Sequence, residues 1–216
     1  MSRNWVAWHA DYERDTPLRR RLTIVQGHIA DVLRSSGRSP LTVVSICSGD
    51  GRDLLGPLAW DPARNRVRGR LVELNADLAA KAVEAANDAN LPGIDVVVGD
   101  AGVTTAYRGA VPADLVLICG VFGNIVDADI ERTISALPML CADGATIIWT
   151  RHRRPPDLTP TIRRWFREAG FLEVAFEAVP GSAASVGVQR LARRPLPFEE
   201  GVRLFSFFES DAGMPT

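Results

Sequence analysis

The run Ser45-Ile-Cys47-Ser48-Gly49-Asp50-Gly51-Arg-Asp53 is the part of this chain whose residue types best suit a bound ligand. Glycine has no Cβ, so a turn built on Gly49 and Gly51 lets a ligand reach the main chain and turns amide N–H groups toward it. Glu73 follows about 20 residues after Gly51, the spacing at which a carboxylate in a doubly wound sheet accepts hydrogen bonds from a ribose diol. Asp100 comes one strand later and offers an acceptor for the exocyclic amine of an adenine ring. Each residue also has a plain structural use. Two glycines can serve only their turn, Glu73 can end a strand in solvent, and Asp100 can cap a short helix. The ligand reading rests on their order: a glycine turn, an acid after the second strand and an acid after the third. Open α/β sheets bind ligands at those carboxyl ends.

The elements that must hold these residues are legible as a change of rhythm. Leu18, Leu22, Val25, Ile29 and Leu33 recur every three to four residues, the stripe of an amphipathic helix that Pro17 starts afresh and Ser35-Ser-Gly37 closes. From residue 41 short apolar runs alternate with helical stretches. Strands are expected at Leu41–Ile46, Arg70–Glu73, Ile94–Val98, Asp114–Cys119, Ala145–Trp149, Phe171–Val179 and Ser185–Leu191. The helices between them are expected to be capped by Asn75, Asp127 and Thr159, the last followed by Pro160. Such alternation requires a parallel sheet with helices on both faces. The last two strands are too close for a crossover, so they form an antiparallel hairpin. The expected fold is therefore α/β, a doubly wound, Rossmann-like, seven-stranded, mostly parallel sheet with an antiparallel terminal hairpin. Val202–Phe208 reads as one further strand.

Length and composition bound the function. With 216 residues, 46% hydrophobic and 24% charged, the chain is an ordinary globular protein, expected to be one domain with an N-terminal helical extension or lid over residues 1–36 and the main body over 37–216. No apolar run approaches the ~20 residues of a membrane helix, and Met1–Trp5 lacks the apolar core of a secretory signal. A cytoplasmic address and no membrane partner are expected. Net charge is −1, so no global field draws the chain to nucleic acid. Three cysteines with no CxxC pair suggest neither a disulfide framework nor a metal site.

From about Leu41 to Leu191 the chain resembles the class I S-adenosylmethionine-dependent methyltransferases. Their first motif is an acidic residue followed by three alternating glycines. Here Ser45 stands at the acidic place, Cys47 at the first glycine, and Gly49 and Gly51 at the other two. Ser48 and Asp50 complete the turn. Glu73 with Leu74 matches the family's ribose acid and its neighbour, and Asp100 with Ala101 its adenine pair. Asp114 to Asn124 matches its fourth motif, with Cys119, Gly120 and Phe122 nearest the cofactor. The resemblance implies S-adenosylmethionine as cofactor, S-adenosylhomocysteine as product, and a methyltransferase activity. A nicotinamide dinucleotide would need a third glycine where Leu54 stands.

Methyl transfer is an in-line displacement in which the protein aligns the acceptor, excludes water and, where needed, removes a proton. Candidate acceptor residues are Asn124 and Arg151, with His152 as base in the basic run Arg151-His152-Arg-Arg154. Trp5, Trp8, His9 and Tyr12 form an aromatic stripe, from which His9 and Tyr12 would approach the methyl under a closing N-terminal helix. Cys47 and Cys119, ending neighbouring strands, should both border the crevice. The expected function is methyl transfer to a small-molecule acceptor. The alternatives are a protein that keeps the fold and binds cofactor or a partner without transfer, and a nicotinamide-dependent oxidoreductase.

Overall fold

In a computed structural model, which describes residues 16–62 and 64–208, seven strands form one sheet. Helix α1 (Pro17–Ser35) precedes β1 (Leu41–Ile46), then α2 (Arg52–Trp60), β2 (Val67–Glu73), α3 (Ala76–Asp88) and β3 (Ile94–Val98). There follow β4 (Ala113–Ile118), α4 (Asp127–Ala136), β5 (Cys141–His152), α5 (Thr159–Glu168), β6 (Phe171–Ala178) and β7 (Ala184–Leu191). The spatial order is β3-β2-β1-β4-β5-β7-β6, and only β7 runs antiparallel to its neighbours. The order reverses between β1 and β4, which places the switch-point crevice beside the glycine turn.

Alternation along β1 sends Leu41 and Val43 to one face and Val44 and Ile46 to the other. The first face packs on Val25, Ile29 and Leu33 of α1, Leu54 and Leu58 of α2, and Ala82 and Ala86 of α3. The second packs on Ile130 and Ile134 of α4 and Ile162 and Phe166 of α5, with Leu204 and Phe205 from beyond the sheet. Among the described residues no helix is long and apolar enough to cross a membrane.

Several boundaries differ from expectation for local reasons. β2 begins three residues early, at Val67, because its parallel partner β1 extends that far, pairing Leu41 with Val67. β5 runs on to His152 because β7 continues the ladder past the end of β4, pairing Arg151 with Ser185 and His152 with Ala184. Asn75 caps α3 as expected, its side chain accepting from the N–H groups of Asp77 (3.0 Å) and Leu78 (3.1 Å). Asp127 instead lies inside the first turn of α4 behind Val126. Thr159 is likewise the first residue of α5, since the Asp157 carboxylate upstream takes its N–H at 2.9 Å. Val202–Phe208 is not an eighth strand. It makes two isolated bridges, Val103↔Arg203 and Ile125↔Phe207, while Leu204 and Phe205 turn into the core.

Trp149 is fully buried and stacks on Phe166, with ring centroids 5.6 Å apart. Gly187 faces it across the β5–β7 pair, and a Cβ there would overlap the indole. Gly187→Ala should therefore lower stability by about 1–3 kcal/mol, the usual cost of overpacking a core, read as a lower denaturant midpoint at unchanged slope.

Candidate active site

The glycine turn leaves β1 through three left-handed residues, Cys47 (φ 55°), Gly49 (φ 58°) and Gly51 (φ 75°). A Cβ on Gly51 would also lie 2.7 Å from Leu71 Cδ2, so that position has two reasons to be glycine. Cys47 adopts the same conformation without glycine's freedom. Ser45 is buried inside β1, in register with Leu71 and Leu117. The Ser48 N–H donates to Val72 O at 3.0 Å, whereas its hydroxyl oxygen is buried with no partner among the described residues. Asp50 accepts both ways from Arg52 Nε (2.8 and 2.9 Å), which stiffens the turn ahead of α2.

Glu73 is the hinge of the site. Its Oε2 accepts from Gly49 N–H at 2.8 Å and its Oε1 from Asn75 N–H at 2.9 Å. Each oxygen keeps a lone pair for a ligand donor. The adjacent Leu74 is 66% exposed, an apolar surface beside the carboxylate. One strand further, Asp100 Oδ1 accepts from Gly102 N–H (2.8 Å), and Oδ2 accepts from Arg203 (2.6 Å). Ala101 is buried, and its carbonyl accepts from the Tyr107 hydroxyl at 2.6 Å. Cys47 lies within the field of both acids. Burial first, then the Glu73 and Asp100 charges, push its thiol well above the usual range. Tyr107 is raised by burial, then by Cys47 and Asp100, which ties these four residues into one group.

Cys119 departs from expectation. It packs on the opposite face from Cys47, where burial raises its thiol and Asp53 adds to the effect. The thiol donates to Ile148 O at 4.0 Å, and the neighbouring Asp53 carboxyl is itself raised by burial, against the pull of Arg21 from α1. Of the two cysteines, only Cys47 lies among the acids after β2 and β3.

The loop after β4 is closed from within. Gly120 (φ 76°) donates its N–H to Thr150 Oγ1 at 2.8 Å, and the Asn124 side-chain amide donates to Gly120 O at 2.6 Å. Asn124 thus holds the loop's shape, which corrects the picture of an amide simply presented to an acceptor. Phe122 is also corrected. It is fully buried, with Trp149 at 6.0 Å and Phe166 at 6.4 Å, so its ring belongs to the core and not to a cofactor wall. Arg151 donates to Phe122 O, and its Nε is buried without a partner among the described residues. His152 lies against Gly123. Its Nδ1 accepts from Arg154 N–H at 3.3 Å, and burial, then Arg151 and Arg154, lower its pKa against the opposing Asp157. His9 and Tyr12, with Trp5 and Trp8, lie outside the described residues. Sequence reasoning missed Thr150, Tyr107 and Arg203. None carries a local motif, and each enters through a contact between distant segments.

These residues suit an adenosyl ligand. The unpartnered Ser48 oxygen, the two half-satisfied Glu73 oxygens and the bare Leu74 face supply donors, acceptors and an apolar surface along one crevice. Cys47 bounds its near end. The thiol's behaviour is a check on this geometry. With Cys119 and Cys141 replaced by serine, Glu73→Gln removes a negative neighbour and should shift the Cys47 alkylation profile to lower pH, speeding labelling up to about tenfold at about pH 8. An unchanged profile by mass spectrometry would separate the thiol from Glu73.

No protein-family model and no curated protein sequence matches the chain. Solved structures do. An O-methyltransferase family protein from Burkholderia thailandensis superposes with a TM-score of 0.60 at 16% identity, over 79% of this chain and 57% of the other. The chain thus spans little more than half of that protein's length. Magnesium protoporphyrin IX methyltransferase from Synechocystis, solved with S-adenosylmethionine bound, gives 0.68 at 13% identity over 88% and 91%. The CurJ carbon methyltransferase gives 0.62 at 18% identity over 84% and 57%. With the strand order and the terminal hairpin, these similarities show that the chain has the class I methyltransferase fold.

Proposed function

We propose that this protein binds S-adenosylmethionine in the crevice at the ends of β1 to β4 and transfers its methyl group to a small-molecule acceptor. The observation that carries the reading is Glu73, anchored by Gly49 and Asn75 at the mouth of a left-handed glycine turn. In this reading Glu73 receives the ribose hydroxyls, Leu74 and Ala101 flank the adenine, Asp100 accepts its amine, and Ser48 and Gly49 lie along the amino-acid end. Leu54, buried where a dinucleotide fold needs its third glycine, speaks against a nicotinamide cofactor.

The bound cofactor supplies an electrophilic methyl on a sulfonium, so the protein's work is alignment, exclusion of water and control of one proton. The closed loop 120–124 gives the acceptor a rigid floor. His152, neutral near neutral pH because burial and two arginines disfavour its charge, is the base for an acceptor that must lose a proton. While Nδ1 accepts from Arg154, the ring proton resides on Nε2. Taking a proton at Nε2 therefore requires the other tautomer and release of Arg154. The segment ahead of α1 is proposed as the cover, since α1 itself is a core helix through Val25, Ile29 and Leu33. The first turns of α1 carry Arg20, which donates to Pro180 O at 3.3 Å beyond β6, and Arg21, which acts on the buried Asp53. A net charge of −1 sets up no field toward nucleic acid and favours a small acceptor.

Titration calorimetry should show S-adenosylmethionine binding, weakened by about 1.5–3 kcal/mol in Glu73→Ala through loss of charged hydrogen bonds. Tighter binding of NAD, or no binding by the wild type, would overturn the reading. With an acceptor in hand, the fall of kcat/KM toward acid pH should begin below the ordinary histidine value of about 6.5, because His152 is held neutral. His152→Gln should remove that limb; a limb that persists would assign it to another group.

A further inference from the structure

The segment beyond β7 returns past the residues that follow β3 and is pinned there and on α4 by hydrogen bonds. Thr104 N–H donates to Val202 O (3.0 Å) and Leu204 N–H to Gly102 O (2.8 Å), one on each side of the Val103↔Arg203 bridge. Thr104 Oγ1 donates to Glu199 O at 2.7 Å and accepts from Val202 N–H at 2.9 Å. Leu204 O accepts from Thr133 Oγ1 (3.0 Å), and Ser206 N–H donates to the largely buried Asp129 carboxylate (2.8 Å). Gly102 admits this strap, since a Cβ there would overlap Phe205 O. With Leu204 and Phe205 buried, Arg203 projects from the strap, and its Nη1 meets Asp100 Oδ2 at 2.6 Å and, more weakly, Phe205 O at 3.4 Å.

That ion pair is half-exposed on both sides, 48% and 52%, so it adds little to stability. Its consequence is orientation. Gly102 N–H holds Oδ1 and Arg203 holds Oδ2, so the carboxylate plane is set and its remaining lone pairs point in fixed directions. A carboxylate so held is an acceptor only. It suits a ligand edge bearing an amine donor and repels one bearing a carbonyl oxygen. We propose that Arg203 is a positioning residue that makes Asp100 selective for the exocyclic amine of the cofactor's base, so that the C-terminal strap, which lies outside the sheet, sets base specificity. The proposal rests on the cofactor reading above.

Binding of S-adenosylhomocysteine and of its inosine analogue, in which a carbonyl replaces the amine, tests it by calorimetry on the full chain. Wild type should prefer the adenosine form by about tenfold or more. Arg203→Met should lose most of that preference with its melting temperature nearly unchanged, and Arg203→Lys should restore part of it. In an Asp100→Asn background, Arg203→Met should have no further effect on the preference. Gly102→Ala, which displaces the strap with Arg203 intact, should act like Arg203→Met. Undiminished preference in Arg203→Met, or tighter binding because the arginine was competing with the base, would overturn the assignment and leave the cofactor reading standing. Wild type that binds neither compound would overturn both.

Discussion

One carboxylate ties the candidate site together. Glu73 ends β2 and takes one backbone N–H from the turn after β1 and one from the turn before α3. Hydrogen bonds to an ionised acceptor are about twice as strong as neutral ones, and these two join loops that no ladder bond connects. Asn75 then caps α3 with its side chain, and Ser48 N–H returns to Val72 O. The shape of the turn after β1 thus depends on a carboxylate whose two oxygens each hold one backbone N–H.

The rest of the fold keeps that arrangement from relaxing. β1 is buried on both faces, so the glycine turn starts from a strand with no freedom to tilt. Under the loop after β4, Phe122, Trp149, Phe166 and Phe171 interlock, and Arg151 draws the Phe122 carbonyl toward β5. Gly120 and Asn124 close that loop by their own bonds. The turn after β1 and the loop after β4 are therefore both built on rigid supports.

Much of this was legible in the sequence because it is periodic or local. All seven strands, their mixed direction and the α1 stripe follow from apolar spacing, and the glycine turn, Glu73 and Asp100 follow from residue type at strand ends. What was not legible is what depends on meeting a distant partner. β5 outlasts its expected end because β7 extends the ladder. Thr159 enters α5 as its first residue, because the Asp157 carboxylate takes both its N–H and its hydroxyl. Phe122 is core because Trp149 and Phe166 complete an aromatic cluster around it. The strap had the apolar alternation of a strand, but its N–H groups went to Gly102, Asp129 and Asn124 and not to a sheet edge.

Cys47 shows why such a site outlasts its motif. A non-glycine residue in the left-handed region costs about 1–2 kcal/mol, and Cys47 sits there at φ 55°, close to the left-handed minimum and to the 58° of Gly49. The backbone path is retained and the residue that normally relieves it is not. The path is imposed from both sides, by β1 behind and by the Glu73–Gly49 bond ahead, so the strain is held by its surroundings. In place of a bare main chain, the near end of the crevice then carries a buried, protonated thiol, small and weakly polar. Two residues on, the Gly49 amide already gives its proton to Glu73. The turn after β1 is thus defined by a set of backbone directions and one carboxylate that holds them, and neither requires a glycine at position 47.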